Sequence, residues 1–335
     1  MSRYFRILSL DGGGIRGIIP AKVLVTLEKK LQQASGKPGL RVADCFDLVA
    51  GTSTGGILAC LHLCPQANSP ARPRYSAEEA LNFYFERGPT IFERSIWESI
   101  KTAGGVADEK YPAVGLETAL HDYFQDTLLS QLVKPCLIPA YHITQRAEFF
   151  FTQHDAVGRH EWDFFVRDVG RATSAAPTFF ECARAVSRTG IAHPLIDGGL
   201  FANNPALCAF AEARTQMPGR PQASQMAILS LGTGSIDTPY YYDDVKHWGM
   251  VEWMRPALDM MLSSVTETVD YQMRQLYTGE GTEQQYLRIQ PEIPPSLADI
   301  DNTTPNNLNT LQTVGQNVAE QYDRQLDEMV TLLLA

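Results

Sequence analysis

The chain has 335 residues, 44% of them hydrophobic, and a formal net charge of −10 at pH 7. That composition is ordinary for a globular protein, and its acidic balance argues against nucleic acid as a partner, because phosphate binding requires clustered Lys and Arg. No apolar run approaches the length of a membrane span, and Met1 leads directly into a strand-like run. We therefore expect a cytoplasmic protein that contacts membranes only locally.

Apolar strand-like runs alternate with helical patterns, which predicts an α/β fold with a mainly parallel sheet covered by helices. The predicted strands span 7–10, 46–50, 137–144, 148–152, 191–196, 226–231 and 286–289. The predicted helices span 16–34, 55–63, 80–85 and 248–277, with a mostly helical stretch over 91–132 and two helices closing the chain. Without a linker-like tract or repeat, the sequence predicts one domain over 1–335, with the helices of about 300–335 packed on it.

The six cysteines lie in apolar contexts without disulfide or metal spacing. Cys60, His62 and Cys64 resemble a ligand cluster, but His62 points away from the helix face that residues four apart share, so we expect buried packing. A calcium-loop pattern of spaced acids around a glycine is also missing. The sequence predicts neither a metal nor a cofactor.

The first chemical signal is the segment Gly51-Thr52-Ser53-Thr54-Gly55, a G-x-S-x-G motif between a predicted strand and a predicted helix. That setting is the one a nucleophile elbow requires, with Ser53 exposed on a sharp turn at the helix N-terminus. Gly51 and Gly55 allow the close backbone approach that such a turn needs. An ordinary strand–helix turn with an N-capping serine is the alternative interpretation.

The second signal is Asp11-Gly12-Gly13-Gly14-Ile15-Arg16-Gly17, between the first strand and the first helix. Consecutive glycines leave backbone N–H groups open to an anion, either a phosphate or an acyl oxyanion. Arg16 lies in the first helical turn, where the helix dipole disfavours a cation. It either supports the loop and the oxyanion or forms a structural ion pair with Asp11.

The same segment also matches the dinucleotide fingerprint G-x-G-x-x-G at Gly12, Gly14 and Gly17, so an oxidoreductase is the alternative from another class. A dinucleotide-binding site requires an acidic residue at the end of the second strand. Asp44 and Asp47 lie before or at the start of that strand, and its end carries the serine motif instead.

The third signal, Asp197-Gly198-Gly199, follows a predicted strand and precedes Asn203-Asn204-Pro205. An acid at the carboxyl end of a strand is well placed to face a site in an α/β sheet.

These three segments, in this order, resemble the patatin-like phospholipase family. Further matches lie at Arg171–Thr178, Leu229–Gly234, Trp248-Gly249 and Tyr286–Ile289, so the resemblance covers about residues 5 to 320. It implies a three-layer α/β/α fold and metal-free hydrolysis of acyl esters of phospholipids or galactolipids, as a phospholipase A or lysophospholipase.

The resemblance also implies a dyad in which Ser53 attacks the ester and Asp197 takes its proton. The loop amides of Gly12, Gly13 and Gly14, with Arg16, would form the oxyanion hole, and elbow geometry adds the amide of Thr54. The surrounding motif residues are Gly17, Gly51, Gly55, Gly198 and Gly199. An α/β-hydrolase triad would need a histidine after Asp197, and only His247 lies there.

Some partners and alternatives stay open at this level. The Trp- and Met-rich segment 248–262 suits transient contact with a membrane surface, although core packing or a homo-oligomer contact is the other interpretation. Compact relatives include antiphage effectors switched on by cyclic dinucleotides, which makes such an activator an alternative. A catalytically silent storage protein on the same fold is disfavoured by the intact Ser53 and Asp197.

Overall fold

The computed structural model describes residues 4–93, 110–236 and 239–335. Its strands are β1 (Phe5–Leu10), β2 (Leu48–Gly51), β3 (Pro65–Gln66), β4 (Ser69–Pro73), β5 (Cys136–His142), β6 (Ala147–Thr152), β7 (Ala183–Val186), β8 (Ala192–Asp197), β9 (Met226–Leu231) and β10 (Tyr286–Ile289). The helices are α1 (Ile18–Ser35), α2 (Thr54–Leu63), α3 (Ala77–Ile91), α4 (Ala113–Phe124), α5 (Gln153–Ala156), α6 (Val166–Thr173), α7 (Gly199–Ala202), α8 (Ala206–Gln216), α9 (Tyr242–Val245), α10 (Met250–Glu280), α11 (Pro305–Gln321) and α12 (Asp323–Leu334).

The central sheet has eight strands, and its path runs β10-β9-β1-β2-β5-β8-β7 with β6 also paired to β5. The strands from β10 to β5 are parallel, whereas β6 and β8 run antiparallel to β5, and β7 antiparallel to β8. The predicted α/β class with a mainly parallel sheet is confirmed.

Strand β5 brings the ends of two other strands together. Its residues Leu137–His142 all pair with β6, which occupies one edge of the strand. On the remaining edge, β2 pairs with Cys136 and Leu137, and β8 pairs with Ala140 to His142 in the opposite direction. Strands β2 and β8 therefore point their carboxyl ends at each other, because a strand has only two hydrogen-bonding edges.

Both faces of the sheet are buried. Side chains alternate along β1, so that Leu8 and Leu10 pack in the larger core while Ile7 packs in a second core on the opposite face. Helices α1, α2, α3, α4, α6, α11 and α12 contribute to the larger core, and α8 and α10 to the second. Because both faces of the sheet are buried, the sequences of the predicted strands are mostly continuous apolar runs.

Several elements differ from the sequence prediction. The short hairpin of β3 and β4 was not predicted, and neither was the strand β7. Helix α10 begins two residues later than expected and continues to Glu280 despite Pro256. Of the stretch expected to be helical over 91–132, residues 94–109 lie outside the described residues. None of the described helices combines the length and apolar character needed to cross a bilayer.

The Cys60, His62 and Cys64 side chains are all buried on or beside α2. His62 Nε2 has no hydrogen-bond partner among the described residues, and burial lowers the pKa of its imidazole to about 4. A neutral side chain enclosed in this way fits the predicted packing role.

Candidate active site

Ser53 stands on a sharp turn between β2 and α2. Its backbone has φ 54° and ψ −122°, a conformation rare for a residue with a side chain. A Cβ on Gly51 would lie 2.1 Å from the carbonyl oxygen of Gly55, so the turn leaves no room for a side chain there. The hydroxyl of Thr173 accepts a hydrogen bond from Ser53 N at 3.0 Å and donates to Pro139 O at 2.6 Å. The strained turn is thus tied to β5.

The sequence-predicted partner of Ser53 lies directly opposite this turn. Ser53 Oγ donates to Asp197 Oδ2 at 2.6 Å, and Gly199 N donates to Asp197 Oδ1 at 2.7 Å. Asp197 is the last residue of β8, so the two side chains meet where the carboxyl ends of β2 and β8 converge. Gly198 is needed there because a Cβ would lie 2.4 Å from Pro139 O.

The Asp197 carboxyl is only 6% exposed, and this burial raises its pKa from 3.8 to about 6. The hydrogen bonds from Ser53 and Gly199 act in the opposite direction, since they stabilise the anion. At neutral pH the group is therefore an anion that binds a proton more readily than an exposed carboxylate.

The glycine loop lies beside the same serine. A Cβ on Gly12 would come within 3.3 Å of Ser53 Cβ. Gly12 N donates to Asn203 O at 3.1 Å, whereas Gly13 N and Gly14 N have no acceptor in the described part of the chain. Gly14 has φ 57°, which a glycine adopts without strain. Of the predicted oxyanion donors, Gly12 is thus already engaged, while Gly13 and Gly14 are open.

Two further predicted motif positions lie at the junction of this loop with α2. The amide of Thr54, at the first position of α2, has no acceptor among the described residues, so it is a third open donor. A Cβ on Gly17 would lie 2.6 Å from Thr54 Oγ1, which explains the glycine.

The charged residues of the loop do not pair with each other. Asp11 forms a fully buried ion pair with Arg288 of β10, whose Nη1 donates to Asp11 Oδ1 at 2.9 Å. The proposed ion pair between Arg16 and Asp11 is therefore wrong. Arg16 Nε is buried without a partner among the described residues, and desolvation lowers the pKa of its guanidinium, partly offset by the charge of Asp259.

A cavity of ≈ 600 Å³ opens beside Ser53 and Asp197. One wall is apolar, and its side chains include Ile57, Phe83, Ile91, Leu116, Phe179 and Phe180. A polar wall is formed by one face of α10, with Asp259, Ser263 and Glu267. No histidine is among the lining residues that the structure describes, and His247 is exposed in the turn before α10.

A separate group of side chains has the geometry of metal ligands. His154, Asp155 and Glu212 place one ligand atom each within 4.8 Å of one another. His154 Nε2 already lies 2.7 Å from Glu212 Oε1, and Asp155 accepts bonds from Thr152 and Arg159. These residues do not line the cavity beside Ser53.

Comparison with known proteins settles the family. A family model described as patatin-like phospholipase matches residues 8–210, which is more than half of the chain. The chain is 33% identical to patatin-like protein 2 of Oryza sativa subsp. indica, with 96% of this chain and 85% of the relative covered. It is 32% identical to patatin-like protein 2 of Arabidopsis thaliana, with 94% and 83% covered.

The chain belongs to the patatin-like phospholipase family. Membership supports lipid acyl hydrolysis as its general activity. Among solved structures, VipD from Legionella pneumophila aligns with 97% of this chain and 67% of its own, at a TM-score of 0.42 and 12% identity.

Sequence reasoning missed several residues that hold this patatin-like site together. Asn203 O accepts from Gly12 N, and Thr233 Oγ1 donates to Gly12 O at 2.7 Å, so both fix the glycine loop. Thr173 holds the serine turn, and Ala175 O accepts from Asp197 N. The run Arg171–Thr178 was identified only as part of the family resemblance, and the hydroxyl of Thr173 within it was the available signal.

Proposed function

We propose that the chain hydrolyses acyl esters of membrane lipids, as a phospholipase A or lysophospholipase, through a dyad of Ser53 and Asp197. The observation that carries the proposal is the 2.6 Å hydrogen bond from the strained serine to a buried carboxylate of raised pKa. A serine hydroxyl becomes an effective nucleophile when a neighbouring base accepts its proton.

In the proposed reaction, Ser53 Oγ attacks the ester carbonyl while its proton passes to Asp197 Oδ2. The oxyanion then accepts hydrogen bonds from the open amides of Gly13, Gly14 and Thr54. Collapse of this intermediate expels the alcohol, which takes the proton from Asp197 and leaves an acyl-serine. A water molecule attacks the acyl-serine in the same way, releasing the fatty acid and returning the proton to Ser53.

The cavity supports a lipid substrate. Its apolar wall starts beside the serine turn at Ile57 and is lined by phenylalanine side chains, which suits an acyl chain. Aromatic and Met side chains are exposed near the polar wall: Tyr242 is 76% exposed and Met250 is 87% exposed, while Tyr240 lines the cavity. We propose that these side chains contact the membrane surface transiently.

The test is labelling with an active-site-directed fluorophosphonate together with turnover of a soluble ester. We expect the label on Ser53 and no turnover by Ser53→Ala. Ser263→Ala is the matched control, because Ser263 lines the same cavity but its hydroxyl donates to a carbonyl of its own helix. A label on a serine other than Ser53 contradicts the dyad.

Metal independence is a second readout of the same proposal. Turnover should survive EDTA, since the oxyanion is held by backbone amides. Loss of turnover in chelator, with recovery on adding calcium, contradicts this mechanism. The cyclic-dinucleotide-activated alternative stays a prediction that no contact in the structure tests. The oxidoreductase alternative is disfavoured by family membership and by the position of the glycine loop against Ser53.

A further inference from the structure

The polar wall of the cavity carries its own charge pattern. Pro256, Asp259, Ser263, Glu267 and Asp270 follow one another at intervals of three or four residues along α10, so they share the helix face that lines the cavity. Thr266, next to Glu267, also lines it. Asp270 accepts bonds from Tyr286 Oη at 3.0 Å and from Arg274 Nε at 2.9 Å. Asp259 and Glu267 have no hydrogen-bonding or ion-pair partner for their carboxylates among the described side chains.

A cation lines the same cavity from the side of the glycine loop. The Arg16 side chain makes no hydrogen bond or ion pair with any described residue, and its Nε is buried. The charge of Asp259 acts on Arg16, although the two groups do not form a direct ion pair. One cavity is therefore lined by a cation and two carboxylates that have no partner among the residues that the structure describes.

A ligand with both an anionic and a cationic group would neutralise both sides of this arrangement. Buried charges are stable only when they are paired, so Arg16 favours an anion beside the glycine loop. Asp259 and Glu267 favour a cation at the α10 face. The ring of Tyr240, which also lines the cavity, can contribute a cation–π contact to an ammonium group.

We propose that the Arg16 side and the α10 face form a head-group subsite selective for zwitterionic phospholipids, with the phosphate beside Arg16 and the ammonium beside Asp259 and Glu267. The proposal rests on the proposed hydrolase function. An anionic glycerol head group would still place its phosphate beside Arg16, but it would bring no ammonium, so the charges of the two carboxylates would stay uncompensated. A galactolipid would leave Arg16 unpaired. Both should therefore be poorer substrates.

The test compares kcat/KM for phosphatidylethanolamine and phosphatidylglycerol with identical acyl chains. Each is diluted to a low mole fraction in neutral detergent micelles, so that the surface charge stays the same. We expect the wild type to prefer phosphatidylethanolamine by roughly tenfold or more, since like-charge juxtaposition is costly in a cavity. The double variant Asp259→Asn with Glu267→Gln should bring the ratio close to one. Because both rates are measured on the same preparation, the ratio of the two kcat/KM values does not depend on the fraction of folded enzyme.

The matched control is Glu280→Gln. It removes a charge from the far end of the same helix, roughly 30 Å from Asp259 at a rise of 1.5 Å per residue. The control should keep the wild-type ratio. Equal rates on both lipids in the wild type, or the same change of ratio in Glu280→Gln, overturn the subsite. Absence of Ser53 labelling and of any ester turnover overturns the hydrolase proposal instead, so the two failures are distinguishable.

Discussion

Besides its apolar wall, the cavity beside Ser53 has two walls that are built in opposite ways. The wall of the serine turn and the glycine loop is backbone, packed so closely that a Cβ on Gly55 would lie 2.3 Å from Leu10 O. The α10 wall is formed by side chains, of which Asp259, Ser263 and Glu267 are exposed. The comparison teaches that the geometry of the first wall is held by its backbone, whereas the chemical character of the second depends on its side chains, to which we assign the proposed choice of substrate.

The largest expected effect is on the first wall, at Asp197→Asn. We expect kcat to fall by about 10³-fold or more, the range for loss of an active-site base. Because the folded-state pKa of Asp197 is raised to about 6, the folded protein holds this proton more tightly and loses stability as pH rises from 3.8 to 6.

Replacing this charged carboxylate by a neutral amide should therefore raise the free energy of unfolding at pH 8, by an amount on the order of 2 kcal/mol. Urea unfolding at pH 8 and pH 4 measures the difference, and Glu280→Gln on α10 is the control for loss of one acid. A variant that retains turnover, or unfolds more easily at pH 8, would argue against a buried base.

The next effect concerns the ion pair under the glycine loop. Arg288→Met leaves the wholly buried Asp11 unpaired, which should cost about 3 to 5 kcal/mol of unfolding free energy. Arg324→Met breaks the exposed pair between Arg324 and Glu328 and should cost less than about 1 kcal/mol. Chemical denaturation compares the two. If both variants lost similarly small amounts of unfolding free energy, the buried Asp11 would not need Arg288 for its stability.

The pH profile measures the electrostatics of the first wall without a mutation. Asp197 must be ionised to accept the serine proton, so kcat/KM for a soluble ester should rise about tenfold per pH unit below about pH 6 and level off above it. If kcat/KM instead levelled off above about pH 4, where an exposed carboxylate titrates, burial would not be raising the pKa of Asp197.

A smaller effect is expected at Thr173, which contacts the serine turn but not the cavity. Thr173→Val leaves Ser53 N without its acceptor, which costs about 1 to 3 kcal/mol and should lower kcat by roughly tenfold with little change in KM. Thr173→Ser keeps the hydroxyl and should retain most of the activity. Equal losses in both variants would assign Thr173 a packing role alone.

The smallest effect belongs to the α10 side of the molecule. Met250→Ser with Tyr242→Ser removes exposed apolar surface and should reduce activity on vesicles a few-fold, while turnover of a soluble ester stays unchanged. Tyr271→Ser is the control, since Tyr271 is exposed farther along α10 and does not line the cavity. Equal effects on vesicles and soluble ester would exclude a membrane contact at this surface.

The sequence by itself determined the local parts of this site. The position of Ser53 between a strand and a helix depends on residues that are adjacent in the chain. The same holds for the glycine loop after β1. The turn requires a glycine at Gly51 whatever surrounds it, because a Cβ there would meet the carbonyl oxygen of Gly55 only four residues along the chain. The capping box at the start of α3 is equally local, with Ser76 N donating to Glu79 Oε2 at 2.8 Å.

Only the tertiary structure decided how these parts meet. Asp11 pairs with Arg288 and not with Arg16, because β9 pairs with both β1 and β10 and so places β10 one strand away from β1. No local pattern encodes a partner so far along the chain. Ser53 and Asp197 face each other because β2 and β8 share one edge of β5 in opposite directions. Strand pairing depends on contacts between residues far apart in the chain, which set the neighbouring strand and the register. Apolar periodicity indicates which residues are buried but not which strand lies beside them.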